Sequence, residues 1–118
     1  FDLMLVTQGD PKVQSQKIQS LNIQHYFKDI VLVNSMENET KLNAFSYLVK
    51  KHHLKPKEFV SIGNRRSTDL RFAKMLGAYT CLFHHGEHKN EPITIPEDQP
   101  DFIVHNHKEL LKLCRPPL

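Results

Sequence analysis

The sequence predicts an α/β fold, a three-layer α/β/α sandwich around a parallel sheet, and two observations carry that expectation. Short apolar runs of strand length alternate with helix-patterned segments along the 118 residues, the order that covers a parallel sheet on both faces. Within that alternation, FVSIGNRRSTDLRFAKMLGAYTCLF (59–83) reads as a complete unit. It holds an apolar strand Phe59–Ile62, a glycine and polar loop, an amphipathic helix to Gly77 and a second strand Tyr79–Phe83.

The elements follow in order. Phe1 to Val6 is apolar except for Asp2 and stops at Thr7-Gln8-Gly9-Asp10-Pro11, where Pro11 suits the first turn of a helix. Residues 12–21 form that helix, with Gln14, Ile18 and Leu21 on one side. Ile30–Val33 is a continuous apolar run, the mark of a buried parallel strand. A second helix covers about 40–53, with Leu42, Phe45, Leu48, Val49 and His52 at helical spacing, and Pro56 ends it. The 59–83 unit comes next, then a loop of Gly, Pro, His and acidic residues over 84–100. Phe102–Val104 is a last strand. Asn106 and Glu109 imitate a capping box for a closing helix with Leu110, Leu111 and Leu113, stopped by Pro116 and Pro117. No internal repeat or linker divides the chain, so 1–118 reads as one domain.

Composition excludes several classes. Hydrophobic residues are 39% and charged residues 25%, ordinary for a folded domain rather than a disordered one. No apolar run reaches the ~18 residues of a membrane span. The first residues lack a signal-peptide pattern. The net charge of +3 is spread over scattered lysines. The densest run, KKHHLKPK (50–57), falls at a helix end where cations are favourable, so neither nucleic acid nor a membrane is expected as partner. Cys81 and Cys114 make no disulfide framework and read as two thiols of a reducing, cytoplasmic setting.

Chemistry gathers at the expected strand ends. Asn64 and Asp69, five positions apart across a tight turn, can converge on one small hard cation. Thr7 closes the first strand, Lys41 opens the second long helix, and all four belong at the carboxyl edge of the sheet, where α/β folds bind ligands. A hydroxyl, the backbone amide of Gln8 and a lysine ammonium suit a phosphoryl group. Each residue also has a plainer role. Thr7 is a β-branched strand end, Asn64 a turn residue after Gly63, and Asp69 a favourable charge at a helix start. Lys41 fits less well, since the helix dipole disfavours a cation there. Among the histidines, His84, His85 and His88 tempt a zinc reading, but no second pair has structural-site spacing and a solvated loop is expected.

The ordered set resembles the C-terminal half of a haloacid dehalogenase-like (HAD) hydrolase of Rossmannoid fold. LMLVTQG resembles the second motif, Lys41 the third-motif lysine, and IGNRRSTD the fourth motif; AKMLGAYTCLF and PDFIVHNHKELLKL resemble its usual sequel. The resemblance implies a phosphatase of small phosphorylated substrates, using Mg2+ and an aspartyl-phosphate. It makes Thr7, Gln8 and Lys41 phosphate-binding, Thr7 and Lys41 catalytic, and Asn64 and Asp69 metal ligands.

Two departures bear on that implication. No Asp-x-Asp first motif occurs in the sequence, so these 118 residues are expected to be inactive alone. Asn64 replaces the first fourth-motif carboxylate, which lowers the charge offered to a cation and favours, as the alternative, a non-catalytic interaction module. The chain, without an initiator methionine, reads as a piece of something longer. In the family the first-motif strand lies between the strands ending at Thr7 and Ile62, so two edges should face a gap. A complementary N-terminal segment or a second chain is the expected filler. The interval from Thr7 to Lys41 leaves no room for a cap domain, which would have to precede residue 1.

Overall fold

The first strand, β1 (Met4–Gly9), runs past the apolar stretch that announces it and takes in Thr7 and Gln8. The reason is its partner. In the computed structural model, which describes residues 2–114, β1 pairs in parallel with β2 (Asp29–Asn34) from Met4↔Asp29 to Gly9↔Asn34. Ladder pairing, not hydropathy, sets where this strand ends. Between them lies α1 (Pro11–Leu21). The Asp10 carboxylate accepts from the Lys12 amide at 2.9 Å and Pro11 occupies the first turn, where its missing donor costs nothing. Of the stripe expected on α1, Ile18 is buried, Gln14 is half-buried and Leu21 is exposed.

A loop from Asn34 leads to α2 (Lys41–Lys51). Thr40 and Asn43 satisfy one another before the helix starts: Thr40 Oγ1 accepts from the Asn43 amide at 3.3 Å, and Asn43 Oδ1 accepts from the Thr40 amide at 3.1 Å. This reciprocal cap puts Lys41 at the first helical position. Ala44, Phe45 and Leu48 face the core, while Leu42, Val49 and His52 of the expected stripe are half-buried. Pro56 does not end this helix. It stops at Lys51, and His53 takes a left-handed conformation (φ 53°) with amide bonds running back from His53 to Lys50 and from Leu54 to Val49. That is a Schellman stop with histidine in the usual glycine place.

The chain divides between Leu48 and Val49 into two compact units. The described strands form two parallel ladders rather than one continuous sheet. β1 and β2 make the first; β3 (Val60–Gly63), β4 (Tyr79–Phe83) and β5 (Phe102–Val104) make the second, in that order. Each ladder has two edges, β1 and β2 in the first and β3 and β5 in the second. The core of the second unit is Leu70, Ala73, Ala78, Cys81, Leu82 and Val104.

The expected helix to Gly77 has two parts: a single π-helical turn, Arg66–Leu70, and α3 (Arg71–Met75). Gly77 (φ 82°) then closes a second Schellman stop, its amide bonded to Lys74 and that of Ala78 to Ala73. The closing helix α4 (His107–Cys114) begins with the Glu109 amide donating to Asn106 Oδ1 at 2.9 Å. Glu109 does not complete a box with Asn106; its carboxylate takes the His105 amide at 2.6 Å. Pro116 and Pro117, read as the stop of this helix, lie outside the described residues.

Candidate functional site

In the first unit, Thr7 and Gln8 stand near the carboxyl end of β1, in register with Leu32 and Val33. The Thr7 hydroxyl donates to Gln14 Oε1 at 3.1 Å. The same glutamine lies over Gly9, where an added Cβ would stand 2.8 Å from Gln14 Nε2. Gly9 also has φ 152°, and it is this conformation that favours glycine there, since the Gln14 side-chain end could move aside. Lys41 opens α2 at the end of the loop that leaves β2 by the same edge. This unit therefore places a hydroxyl and an exposed glutamine near the carboxyl end of a short parallel ladder, with Lys41 seven residues beyond the end of β2 along the chain.

In the second unit, Asn64 and Asp69 flank the turn that leaves β3. Asn64 is exposed, whereas Asp69 is 9% exposed. The turn is closed by the Asp69 amide donating to the Arg65 carbonyl at 3.0 Å. From inside, Ser61 Oγ donates to the Asp69 carbonyl at 2.7 Å. One carboxylate oxygen of Asp69 accepts from the Arg65 amide at 3.2 Å and the other faces Thr68 Oγ1 at 3.5 Å. The carboxylate packs directly on Gly63: a Cβ built there would overlap Asp69 Oδ2 and Cβ. Glycine is needed at 63 for this close approach and not for a left-handed turn conformation, since its φ is outside that region.

Three more carboxylates, missed in the sequence, brace this unit. Glu91 accepts from the Ser67 amide at 2.8 Å, Ser67 Oγ at 2.9 Å and Arg65 Nε at 3.3 Å. Burial acts to raise its pKa, but the bonds from Ser67 and Arg65 outweigh that and hold it below the ordinary value. Asp98, with no exposed surface, accepts from Arg71 Nε at 2.6 Å and Nη2 at 2.8 Å, and from the amides of Thr94 and Ile95. The Arg71 guanidinium, above all, holds its carboxyl well below the usual range. Asp101 pairs with Lys74 at 2.7 Å and accepts from the Thr80 amide at 2.8 Å. The only local signal for any of these was Pro96-Glu97-Asp98, a proline-started turn with an acid at its third position.

The donor set of Asn64 and Asp69 fits magnesium in part. Both offer hard oxygens, and a carboxylate seated against a glycine is a fixed ligand, but one charge and two groups make less than a full sphere. Magnesium is commonly held by one or two carboxylates, with water and substrate phosphate completing it. Among the described residues no group of three or more His, Cys, Asp and Glu is placed to hold a metal. In the histidine loop His84 Nε2 lies 3.0 Å from the Lys89 carbonyl, and after β5 His105 pairs with Glu109 at 3.2 Å. No helix among the described residues is long and apolar enough to cross a membrane.

Residues 40–110 match the HAD-hydrolase-like family, a span containing Lys41, Asn64 and Asp69. The chain is 29% identical over 116 residues to a glyceraldehyde 3-phosphate phosphatase of Methanopyrus kandleri, covering 98% of this chain and 50% of that relative. It is 30% identical over 112 residues to a phosphoglycolate phosphatase of Vibrio vulnificus, covering 94% and 48%. Among solved structures, a predicted phosphoglycolate phosphatase from Haemophilus somnus superposes with a TM-score of 0.80 at 24% identity, over 98% of this chain and 50% of its own. A magnesium-bound protein of Bacillus subtilis, described as a HAD-hydrolase, gives 0.75 at 21% identity, over 96% and 49%. These likenesses show the fold. The chain spans about half the length of the relatives it matches. With more than half of its residues inside one family model, on an α/β fold shared with hydrolases of that kind, the chain belongs to the HAD-hydrolase-like family.

Proposed function

We propose that the full-length protein carrying this chain is a magnesium-assisted, cytoplasmic phosphatase of small phosphate esters, working through an aspartyl-phosphate. One observation carries the reading: a buried carboxylate, Asp69, seated on Gly63 at the carboxyl end of β3 with Asn64 in the same turn. The two relatives named above, phosphatases of glyceraldehyde 3-phosphate and phosphoglycolate, supply the substrate class.

In this scheme Thr7 and the Gln8 amide donate to phosphoryl oxygens, which requires the Thr7 hydroxyl to turn from Gln14. Lys41 neutralises charge on the phosphoryl group and its nucleophile. Asn64 and Asp69 hold the metal. When bound, magnesium screens the approach of an anionic nucleophile to an anionic phosphate. The nucleophilic aspartate and the general acid/base are absent from these 118 residues, so an upstream segment or a second chain supplies them, and the chain alone does not turn over. The exposed amide at Asn64 favours a second reading, a non-catalytic interaction module of the same fold.

Phosphatase assays of the full-length protein on small phosphate monoesters, with magnesium and with chelator, separate the two. Hydrolysis is expected only with the metal, and Lys41→Ala should lower kcat at least ~100-fold with the fold retained. Normal turnover by that variant would remove Lys41 from the mechanism. No hydrolysis under any condition leaves the interaction module.

A further inference from the structure

The loop 84–98 lies along the Asn64–Asp69 turn rather than away from it. At its start, a Cβ on Gly86 would stand 3.9 Å from Asn64 Nδ2. At its middle, both oxygens of Glu91 go to the turn, through Ser67 and Arg65. At its end, Asp98 grips Arg71, one residue beyond the turn. Arg65 is the pivot: its side chain is held by Glu91 while its amide donates to Asp69 Oδ2. Ser67 contributes one of the first amides of the π-helical turn, a donor with no partner inside its own helix. Glu91 satisfies it from 24 residues away, with only 16% of its side chain exposed.

We propose that Glu91 is a positioning residue: through Arg65 and Ser67 it fixes the turn so that Asn64 and Asp69 present their oxygens to one cation. The proposal rests on the reading of that pair as a magnesium site. It adds a residue outside the recognised motifs. Glu91 itself is not a ligand, since its oxygens are spent on the turn. Groups that orient metal ligands from behind typically matter about 10–100-fold in metal affinity.

The test is a magnesium titration of the full-length protein, followed by the amide resonances of Asn64 and Asp69 in wild type, Glu91→Ala and Glu91→Gln, with melting curves alongside. In wild type the shifts should saturate. Glu91→Ala should weaken magnesium about tenfold while remaining folded. Glu91→Gln, which can still accept from the Ser67 amide but meets Arg65 without charge, should lose less. Should Glu91→Ala fail to fold, Glu91→Gln decides by the same measure. Wild-type magnesium affinity in a folded Glu91 variant overturns the positioning role and leaves the metal site standing. Absence of a saturable response in wild type overturns the metal site, and this role with it.

Discussion

A glycine and an aspartate six residues apart show how much a single Cβ can decide. The Asp69 carboxylate occupies the volume that any other residue at position 63 would fill. Gly63→Ala must therefore push the carboxylate out of its seat or move β3, with the ~1–3 kcal/mol cost typical of overpacking. Urea unfolding reads that cost, and a variant as stable as wild type would show that Asp69 has another rotamer available. The need for glycine was visible in the sequence as a residue at the end of a strand, but its cause was not. A tight turn and a close approach both call for glycine, and only the position of Asp69 separates them. Thr7 is similar. Its residue type marks a strand end, yet its bond to Gln14 depends on how α1 folds back over β1, which no local pattern encodes.

At the scale of elements, the alternation of apolar runs and helical stripes located each of the described β-strands and α-helices, because burial leaves a local period. The ends were harder. β1 extends to Gly9 because β2 offers it a partner as far as Asn34, and α2 stops by a left-handed histidine for which composition gives no cue. The π-helical turn and the 84–98 loop were the least legible, since they are held by bonds spanning 23 to 27 residues. The loop's firmest anchor is Arg71–Asp98. Asp98 has no exposed surface, so Arg71→Ala would leave a buried carboxylate lacking its counter-charge. Breaking such a pair from one side costs about 3–5 kcal/mol, more than the pair itself contributes. The expected result is a lowered urea midpoint together with faster amide exchange at Thr94 and Ile95, whose amides Asp98 also binds. Unchanged exchange there would mean that the loop holds its shape without the arginine.

For the molecule as a whole, acid is the condition under which these carboxylates act together. Glu91, Asp98 and Asp101 all ionise more readily in the folded chain than their ordinary values of 4.5, 3.8 and 3.8. A depressed pKa means that the unfolded chain takes up protons first as pH falls, so stability drops with it. Their contribution is fully present above those ordinary values and is lost as pH descends through the folded ones, that is, from about pH 5 downward. All three residues lie in the unit that begins at Val49, where Glu91 binds the turn, Asp98 the loop and Arg71, and Asp101 binds Lys74 and the start of β4. Acid should consequently loosen this unit by releasing Glu91 from Ser67 and Asp98 from Arg71, with Asp98 the last to protonate. Asp98→Asn carries the test, because an amide cannot titrate. The variant should be less stable at pH 7, where it lacks the charge-assisted bonds to Arg71, and its stability should fall less steeply between about pH 5 and pH 2 than that of wild type. Urea midpoints measured across that interval give both slopes. Equal slopes would show that the acid limb comes from other carboxylates and that Asp98 is not depressed in the folded chain.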